Sequence, residues 1–308
     1  MLEKMKISFI IPTFNSEETI ASCIGSILDQ KNAMDEVIIV DNGSKDKTID
    51  IVKKSGIKKI YVNSQYNISA LRNLGVSKSS NELLAFIDSD CVLKSGWVRN
   101  VIDFMADSSI QVTGCKYDLP TDPNWIEKAW FSHKKKGIHK VNYINSGNLI
   151  IKREVFEQVS GFDESLITGE DSELCARILK QGYYIISNDR IGAIHLGNPK
   201  NLFGFYKKQY WHSLGMFGSF VVNKFDKPIL ATLLFLILNI IGIFLVIDSK
   251  AVLQGMCLML TIPFFASIYR TLQSKKGEFF FQLIFLYYVY FLARITALFK
   301  IILNITKS

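Results

Sequence analysis

Four short apolar runs, at residues 6–11, 36–40, 58–62 and 83–87, are separated by stretches whose apolar residues recur at helical spacing. No other feature restricts the fold as tightly. Strand–helix alternation of this kind predicts right-handed βαβ units and a mostly parallel, Rossmann-like sheet, an α/β fold. Ser16 is expected to cap the first helix, with Glu17 and Glu18 in its first turn and Ile20, Cys23, Ile24, Ile27 and Leu28 on its buried face. Helical sequence resumes near Asp46 and again over residues 67–78. Open α/β sheets bind ligands beyond the carboxyl ends of their strands. At those ends this chain places Pro12 and Thr13, then Asp41, then Asp88 and Asp90.

The fourth run, Leu83-Leu-Ala-Phe-Ile87, stops at Asp88-Ser89-Asp90. In extended chain, residues i and i+2 project to one side, so the two carboxylates arrive together. Such a pair suits a hard divalent cation that also bridges to phosphate. It equally suits a plain turn, since Asp and Ser both favour turns. Asp41 has the same two readings, a hydrogen-bond acceptor for a ribose or base, or the start of an Asp-Asn-Gly turn. Arg72 is the strong cation on the preceding helix, placed to meet a diphosphate or to lie on a solvated face. The opening strand lacks a G-x-G-x-x-G and the chain lacks a G-x-x-x-x-G-K-[ST], which disfavours dinucleotide oxidoreductases and P-loop NTPases.

Residues 95–106 read as a helix, and residues 118–140 break the alternation. That stretch carries Pro120, Pro123, Trp125, Trp130, Phe131 and the basic run His133-Lys-Lys-Lys136. It suits a membrane surface or an acceptor, or a solvated loop and helix. Tyr143-Ile-Asn-Ser-Gly147-Asn148 then leads into an apolar run. Further on, Thr168-Gly-Glu170-Asp171 opens a helix with Leu174, Cys175, Ile178 and Leu179 on one face. Acidic residues in a first turn are explained by the helix dipole alone, or by chemistry. His195, after a strand-like segment, is a candidate imidazole ligand or a structural histidine.

Beyond residue 200 the composition changes. Residues 201–228 interleave Phe203, Phe205, Tyr206, Tyr210 and Trp211 with Lys207, Lys208 and His212, as an interfacial amphipathic linker would. Residues 229–247 and 252–269 are uncharged and long enough to span a bilayer. They are joined by Asp248-Ser249-Lys250 as a hairpin. A third candidate, 279–303, contains Arg294 and Lys300, so it either spans with Arg294 facing protein or lies partly in the interface. Three regions are thus expected, 1–200, 201–228 and 229–308. Lys224, Lys227 and the cations of 270–276 put those segments, and residues 1–228, in the cytosol by the positive-inside rule. The formal net charge of +8 comes with no nucleic-acid motif or Arg cluster, so membrane lipid rather than nucleic acid is the expected polyanion. The five cysteines show no C-x-x-C pairing and read as small buried residues of a reducing compartment. The N-terminus runs straight into the first strand, so no signal peptide is expected.

Taken together, the stretches Ser8-Phe-Ile-Ile-Pro-Thr-Phe-Asn15, Glu36-Val-Ile-Ile-Val-Asp-Asn-Gly-Ser44, Ala70-Leu-Arg-Asn-Leu-Gly75, Leu84-Ala-Phe-Ile-Asp-Ser-Asp90, Gly147-Asn-Leu-Ile-Ile151, Gly161-Phe-Asp-Glu164 and Glu170-Asp171 resemble the catalytic domain of family-2 glycosyltransferases, which have the GT-A fold. The resemblance covers about two-thirds of the chain. It implies a nucleotide-diphosphate sugar donor and Mg²⁺ or Mn²⁺. Pro12, Thr13 and Asp41 would line the nucleoside pocket, with Arg72 near the nucleotide or diphosphate. Asp88 and Asp90 fall on the family's D-x-D motif. Asp90 would bind the cation most directly, and Asp88 the ribose or a metal-bound water. Asp171 falls on the catalytic base, with Glu170 and Gly147 in support. His195 matches a histidine that in some members approaches the metal or diphosphate. An ordinary carboxylate is already ionised at neutral pH, so Asp171 is expected to need placement more than pKa tuning.

The implied activity is a membrane-anchored, inverting sugar transfer to a hydroxyl of a glycan or lipid-linked acceptor, in the synthesis of cell-envelope polysaccharide. The chain departs from the family at Ser69, where Gly is common, and at Gly169, where an aliphatic or acidic residue is common. Processive synthases carry Q-x-x-R-W. Here Lys207-Lys-Gln-Tyr-Trp211 lacks the Arg, and processive export is disfavoured. A polyprenyl-phosphate acceptor is the close rival, since it is already ionised and needs no base. A nucleotidyltransferase and a degenerate binding protein are the more distant ones.

Overall fold

A computed structural model describes residues 5–131, 135–218, 227–247, 251–274 and 277–305. Lys224, the link 248–250, Lys275, Lys276 and part of the basic run 133–136 lie outside these residues. The chain divides into two units. The first comprises Met1–Pro120 and Lys134–Gly197, the second Thr121–His133 and Asn198–Ser308. Residues 121–133, assigned by sequence to the first region, therefore belong with the C-terminal unit.

In the first unit the expected alternation is realised as β1 (Ile7–Thr13), α1 (Ile20–Leu28), β2 (Glu36–Asp41), α2 (Thr48–Lys54), β3 (Lys59–Val62), α3 (Ile68–Ser77) and β4 (Leu83–Ile87). There follow β5 (Cys91–Leu93), α4 (Trp97–Met105) and β6 (Val112–Gly114). After α5 (Trp125–Phe131), which belongs to the second unit, the first resumes with β7 (Ile138–Val141), β8 (Asn148–Lys152), α6 (Arg153–Gln158), α7 (Glu170–Lys180), β9 (Ile185–Asn188) and β10 (Ala193–His195). The main sheet has the order β3-β2-β1-β4-β8-β6-β9-β7. β1 pairs in parallel with both β2 and β4, and β8 runs antiparallel to β4. The chain winds outward from β1 to β3, then crosses back through α3 to β4 on the other side of β1. That reversal is a topological switch point, where a crevice opens at the strand ends. Burial on both faces explains why β4 reads as an unbroken apolar run and β1 as one interrupted by Ser8, with every residue of each strand buried.

Two details differ from the sequence reading. α1 starts at Ile20 rather than near Ser16. Ser16 instead precedes it in a turn, and its hydroxyl meets Ser89 Oγ at 2.8 Å. Asn67, by contrast, caps α3 with its side chain by accepting from Ala70 N at 2.9 Å.

The second unit contains α5, α8 (Leu202–Gly218), α9 (Lys227–Ile247), α10 (Val252–Ser274) and α11 (Phe280–Ile305). Asn124 and Glu127 form a reciprocal capping pair on α5. Asn124 Oδ1 accepts from Glu127 N, and Glu127 Oε2 accepts from Asn124 N, each at 3.0 Å. On α8 the buried residues Phe205, Gln209 and Ser213 recur every four positions, while Phe203 and Trp211 are exposed. Three helices are long and apolar enough to cross a membrane: Pro228–Ile247, Val252–Gln273 and Phe280–Leu303, with mean hydropathies of 2.9, 1.7 and 1.6. Arg294 faces protein. It donates to Thr232 Oγ1 at 2.7 Å and Tyr290 Oη at 2.6 Å, which lets α11 continue through the charged position.

Candidate active site

β4 ends inside the sheet and releases the chain at Asp88, so both aspartates stand at the switch point. Backbone pairing then fixes a partner for Asp90. β5 pairs antiparallel with β10, setting Cys91 opposite His195, and Leu196 N donates to Asp90 O at 2.8 Å. His195 Nε2 lies 3.5 Å from Asp90 Oδ2. One ligand atom each from Asp90, Cys91 and His195 falls within 4.8 Å of the others. Asp90 and His195 fit a divalent cation, an oxygen and a nitrogen donor from rigid elements. Cys91 is the lesser ligand, because burial and then the charge of Asp88 push its thiol well up, toward the protonated form.

Two glycines keep that space open. A Cβ on Gly197 would lie 1.8 Å from Asp90 Oδ2. A Cβ on Gly147 would lie 2.1 Å from Asp88 Oδ2 and 2.2 Å from Tyr117 Oη. Both carboxylates therefore reach over bare backbone. The sequence marks Gly147 as a supporting residue. Nothing local marks Tyr117, and the one local sign for Gly197 is its place two residues after His195. Tyr117 donates to Asp88 Oδ2 at 3.2 Å and packs its ring on His195 at 4.7 Å.

Arg72 is 3% exposed and lies between two acids. Its Nη2 donates to Asp88 Oδ1 at 2.9 Å and its Nη1 to Glu170 Oε1 at 2.6 Å. Burial opposes its charge, but Asp88 and Glu170 outweigh burial and hold it firmly cationic. Asp171 is the next residue after Glu170, in the first turn of α7. Tyr143 Oη donates to Asp171 Oδ2 at 2.6 Å, and Asn145 Nδ2 donates to Tyr143 Oη at 2.8 Å. Ser172 N donates to Asp171 Oδ1 at 2.8 Å. Contrary to the sequence expectation, Asp171 is not an ordinary carboxylate. Its pKa is raised, first by burial and then by the charge of Glu170, against the opposing pull of Tyr143 and Arg72. Tyr143 itself is pushed up by burial and by Asp171, so it stays a hydroxyl donor.

Thr13 and Asp41, expected on the nucleoside side, form a separate cluster. Asp41 is fully buried. Its carboxylate accepts from Thr13 Oγ1 at 3.0 Å, Gly43 N at 2.9 Å, Ser44 N at 2.8 Å and the Ser44 hydroxyl. Four internal donors occupy it, so it shapes the Asp-Asn-Gly-Ser loop and ties that loop to Thr13 beside Pro12. The Ser16–Ser89 contact joins the loop after β1 to the D-x-D turn.

Comparison with known proteins points to glycosyltransferases. The sequence profile of Glycosyl transferase family 2 matches residues 8–160, and that of the N-terminal domain of galactosyltransferase matches residues 130–196. The glycosyltransferase AglE of Haloferax volcanii is 29% identical over 219 residues, covering 66% of this chain and 70% of that protein. The O-antigen chain rhamnosyltransferase RfbN of Salmonella typhimurium is 28% identical, covering 59% of this chain and 63% of that protein, just under two-thirds of its length. Among solved structures, the mannosyltransferase PcManGT of Pyrobaculum calidifontis, in complex with GDP-Man and Mn²⁺, superposes with a TM-score of 0.62 at 16% identity. The match covers 96% of this chain and 87% of that one. At that identity the likeness establishes the GT-A fold.

Proposed function

We propose, from the premise that this chain belongs to glycosyl transferase family 2, that it is a membrane-anchored glycosyltransferase moving a sugar from a nucleotide-diphosphate donor to an acceptor hydroxyl with inversion. The observation that carries the reading is the pairing of two acidic centres. Asp88 and Asp90 stand over bare glycine at the switch point, and Asp171 stands in the first turn of α7, tied back to Asp88 through Glu170 and Arg72. When bound, a divalent cation at Asp90 and His195, with Asp88 adjoining, supplies charge stabilisation for the departing nucleoside diphosphate. PcManGT is solved with Mn²⁺, which supports a divalent requirement. Pro12, Thr13 and the Asp41 loop wall the nucleoside side.

The protein's own step is a proton transfer. Asp171 takes the acceptor's hydroxyl proton as that oxygen bonds to the anomeric carbon. The bond from that carbon to the diphosphate oxygen breaks, and its electron pair leaves with the nucleoside diphosphate. A single displacement inverts the centre. A raised pKa makes Asp171 a stronger base than an ordinary carboxylate, which suits a hydroxyl acceptor better than an ionised phosphate. The C-terminal helices anchor the chain, with Lys227 and Arg270, at one end each of α9 and α10, on the cytoplasmic side.

A panel of nucleotide sugars with Mn²⁺ or Mg²⁺, and membranes as the acceptor source, tests the reading. One donor class is expected to release nucleoside diphosphate in step with sugar transfer. Chelation should stop release and added cation restore it. Release of pyrophosphate would instead identify a nucleotidyltransferase, and no turnover of any donor a binding protein.

Tyr143→Phe gives a pH test. The phenol donates to ionised Asp171, so its loss raises the Asp171 pKa further. The acid limb of the pH–rate profile should move to higher pH by about one pH unit, roughly the worth of one hydrogen bond to a charged group. An unmoved limb would place the proton acceptor elsewhere.

A further inference from the structure

Arg72 was expected to lie near the donor's nucleotide or diphosphate. Its surroundings fit another task. Its two terminal nitrogens are committed to Asp88 and Glu170. Its Nε is buried without a hydrogen-bond partner among the described residues, and the guanidinium lies 5.4 Å from the centroid of the Phe162 ring. The fork therefore spans from the turn after β4 to the first turn of α7.

The helix that carries Arg72 reinforces the span. Asn67 Nδ2, at its cap, donates to Glu164 O at 2.6 Å and Leu166 O at 3.2 Å. Asn73, next to Arg72, donates to Phe162 O at 2.9 Å and Glu164 Oε1 at 2.8 Å, and accepts from Phe162 N at 3.0 Å. α3 thus grips residues 162–166, the segment leading into Glu170-Asp171. From the same helix Arg72 reaches Asp88, on the leaving-group side. A rigid planar cation with fixed N–H directions is suited to setting the distance between two carboxylates.

We infer that Arg72 is a positioning residue that registers the acceptor-side pair Glu170-Asp171 against Asp88, and is not a ligand of the diphosphate. This deepens the proposed transfer reaction and rests on it for the meaning of a rate. A donor whose anomeric carbon is fixed from the Asp88/Asp90 side needs its base at a set distance. Loss of the strut leaves donor binding intact and misplaces the base. Displacements of about 1 Å in such geometries lower rates on the order of 100-fold.

The test uses the full chain and three variants, Arg72→Gln, Arg72→Lys and Glu170→Gln. Donor affinity is read by direct binding of the nucleotide sugar, kcat by transfer, and the acid limb by the pH profile. Arg72→Gln is expected to lose about 100-fold in kcat with donor affinity within about threefold of wild type. Arg72→Lys should not restore the rate, because one ammonium cannot span both carboxylates as the fork does. The groups facing Asp171 are Glu170 and Cys175 of its own helix, Arg72 from α3, and Tyr143 from the segment before β8. Removing the Arg72 charge should move the acid limb up, and removing the Glu170 charge should move it down. Weakened donor affinity with kcat held, restored by Lys, would make Arg72 a diphosphate ligand and overturn the inference. Equal loss of active enzyme in all variants with no movement of the limb would make it a structural residue and also overturn it. Should Arg72→Gln fail to fold, Glu170→Gln decides, because it removes only the α7 end of the span: kcat should fall with donor affinity held, and an unchanged kcat would overturn the inference. If wild type turns over no nucleotide sugar, the parent reading fails instead. The strut is then read from the Asp171 carboxyl titration in ¹³C-aspartate-edited infrared spectra, assigned with Asp171→Asn, where the same opposite shifts are required.

Discussion

Asp171→Asn is expected to abolish sugar transfer while leaving donor binding within about threefold of wild type. The amide is isosteric. It can still accept the Tyr143 hydroxyl through its oxygen, so the hydrogen-bonded frame of Tyr143, Asn145 and the first turn of α7 survives. What disappears is the ability to take a proton. General-base assistance contributes on the order of 100- to 10,000-fold, and that is the loss expected in kcat. The residual rate should also lose the acid limb, since no group with the raised pKa of Asp171 remains to titrate. The same variant separates acceptor classes. A polyprenyl phosphate is ionised before it reaches the site and gains little from a base. Full activity of Asp171→Asn on polyprenyl phosphate, alongside loss on hydroxyl acceptors, would identify the phosphate as acceptor. Full activity on a hydroxyl acceptor would remove Asp171 from the base role.

Much of this site is legible in the sequence because its parts sit at strand and helix ends, which local signals mark. Asp88 and Asp90 close an apolar run, and Glu170-Asp171 opens a helix after Gly169. Long-range partners leave no such mark. The sequence offers Arg72 as a free cation for a phosphate, because nothing local reveals that two carboxylates 16 and 98 positions away converge on it. The Asp171 pKa could not be anticipated either, since burial and the Glu170 charge depend on how α7 packs. Tyr143 and Tyr117 are ordinary aromatic residues until the antiparallel strands bring them to Asp171 and Asp88. Asp41 is the reverse case. Of its two sequence readings, pocket residue and turn former, the four internal hydrogen bonds of its carboxylate show the turn.

The C-terminal unit shows how a charge within an apolar run is reconciled with a continuous helix. Arg294 made the third segment ambiguous by hydropathy, because a lone cation in hydrocarbon is costly. Thr232 of α9 and Tyr290, one turn earlier on α11, supply oxygen acceptors for it. Those partners are polar but uncharged, and both belong to predominantly apolar helices.

Gly197→Ala is expected to resemble Asp90→Ala, although the glycine carries no chemistry. The added methyl would lie 1.8 Å from Asp90 Oδ2 and 2.8 Å from its Cγ, distances that no side-chain relaxation short of moving the carboxylate can relieve. The backbone leading out of β10 is held instead, because His195 N donates to Asp118 O and Leu196 N to Asp90 O in the two residues just before the glycine. The carboxylate must therefore swing away from His195, and the oxygen and nitrogen donors no longer converge. Transfer with a divalent cation should fall on the order of 100-fold, as for other displacements of about 1 Å at a reacting centre. The two variants should part at high cation concentration. Gly197→Ala keeps a carboxylate that a cation can draw back against the methyl, so excess Mn²⁺ should recover part of its activity. Asp90→Ala has no ligand to recover and should stay inactive. Activity measured against Mn²⁺ concentration distinguishes them. A wild-type cation requirement in Gly197→Ala would show that Asp90 does not bind the cation in the orientation set by β5 and β10.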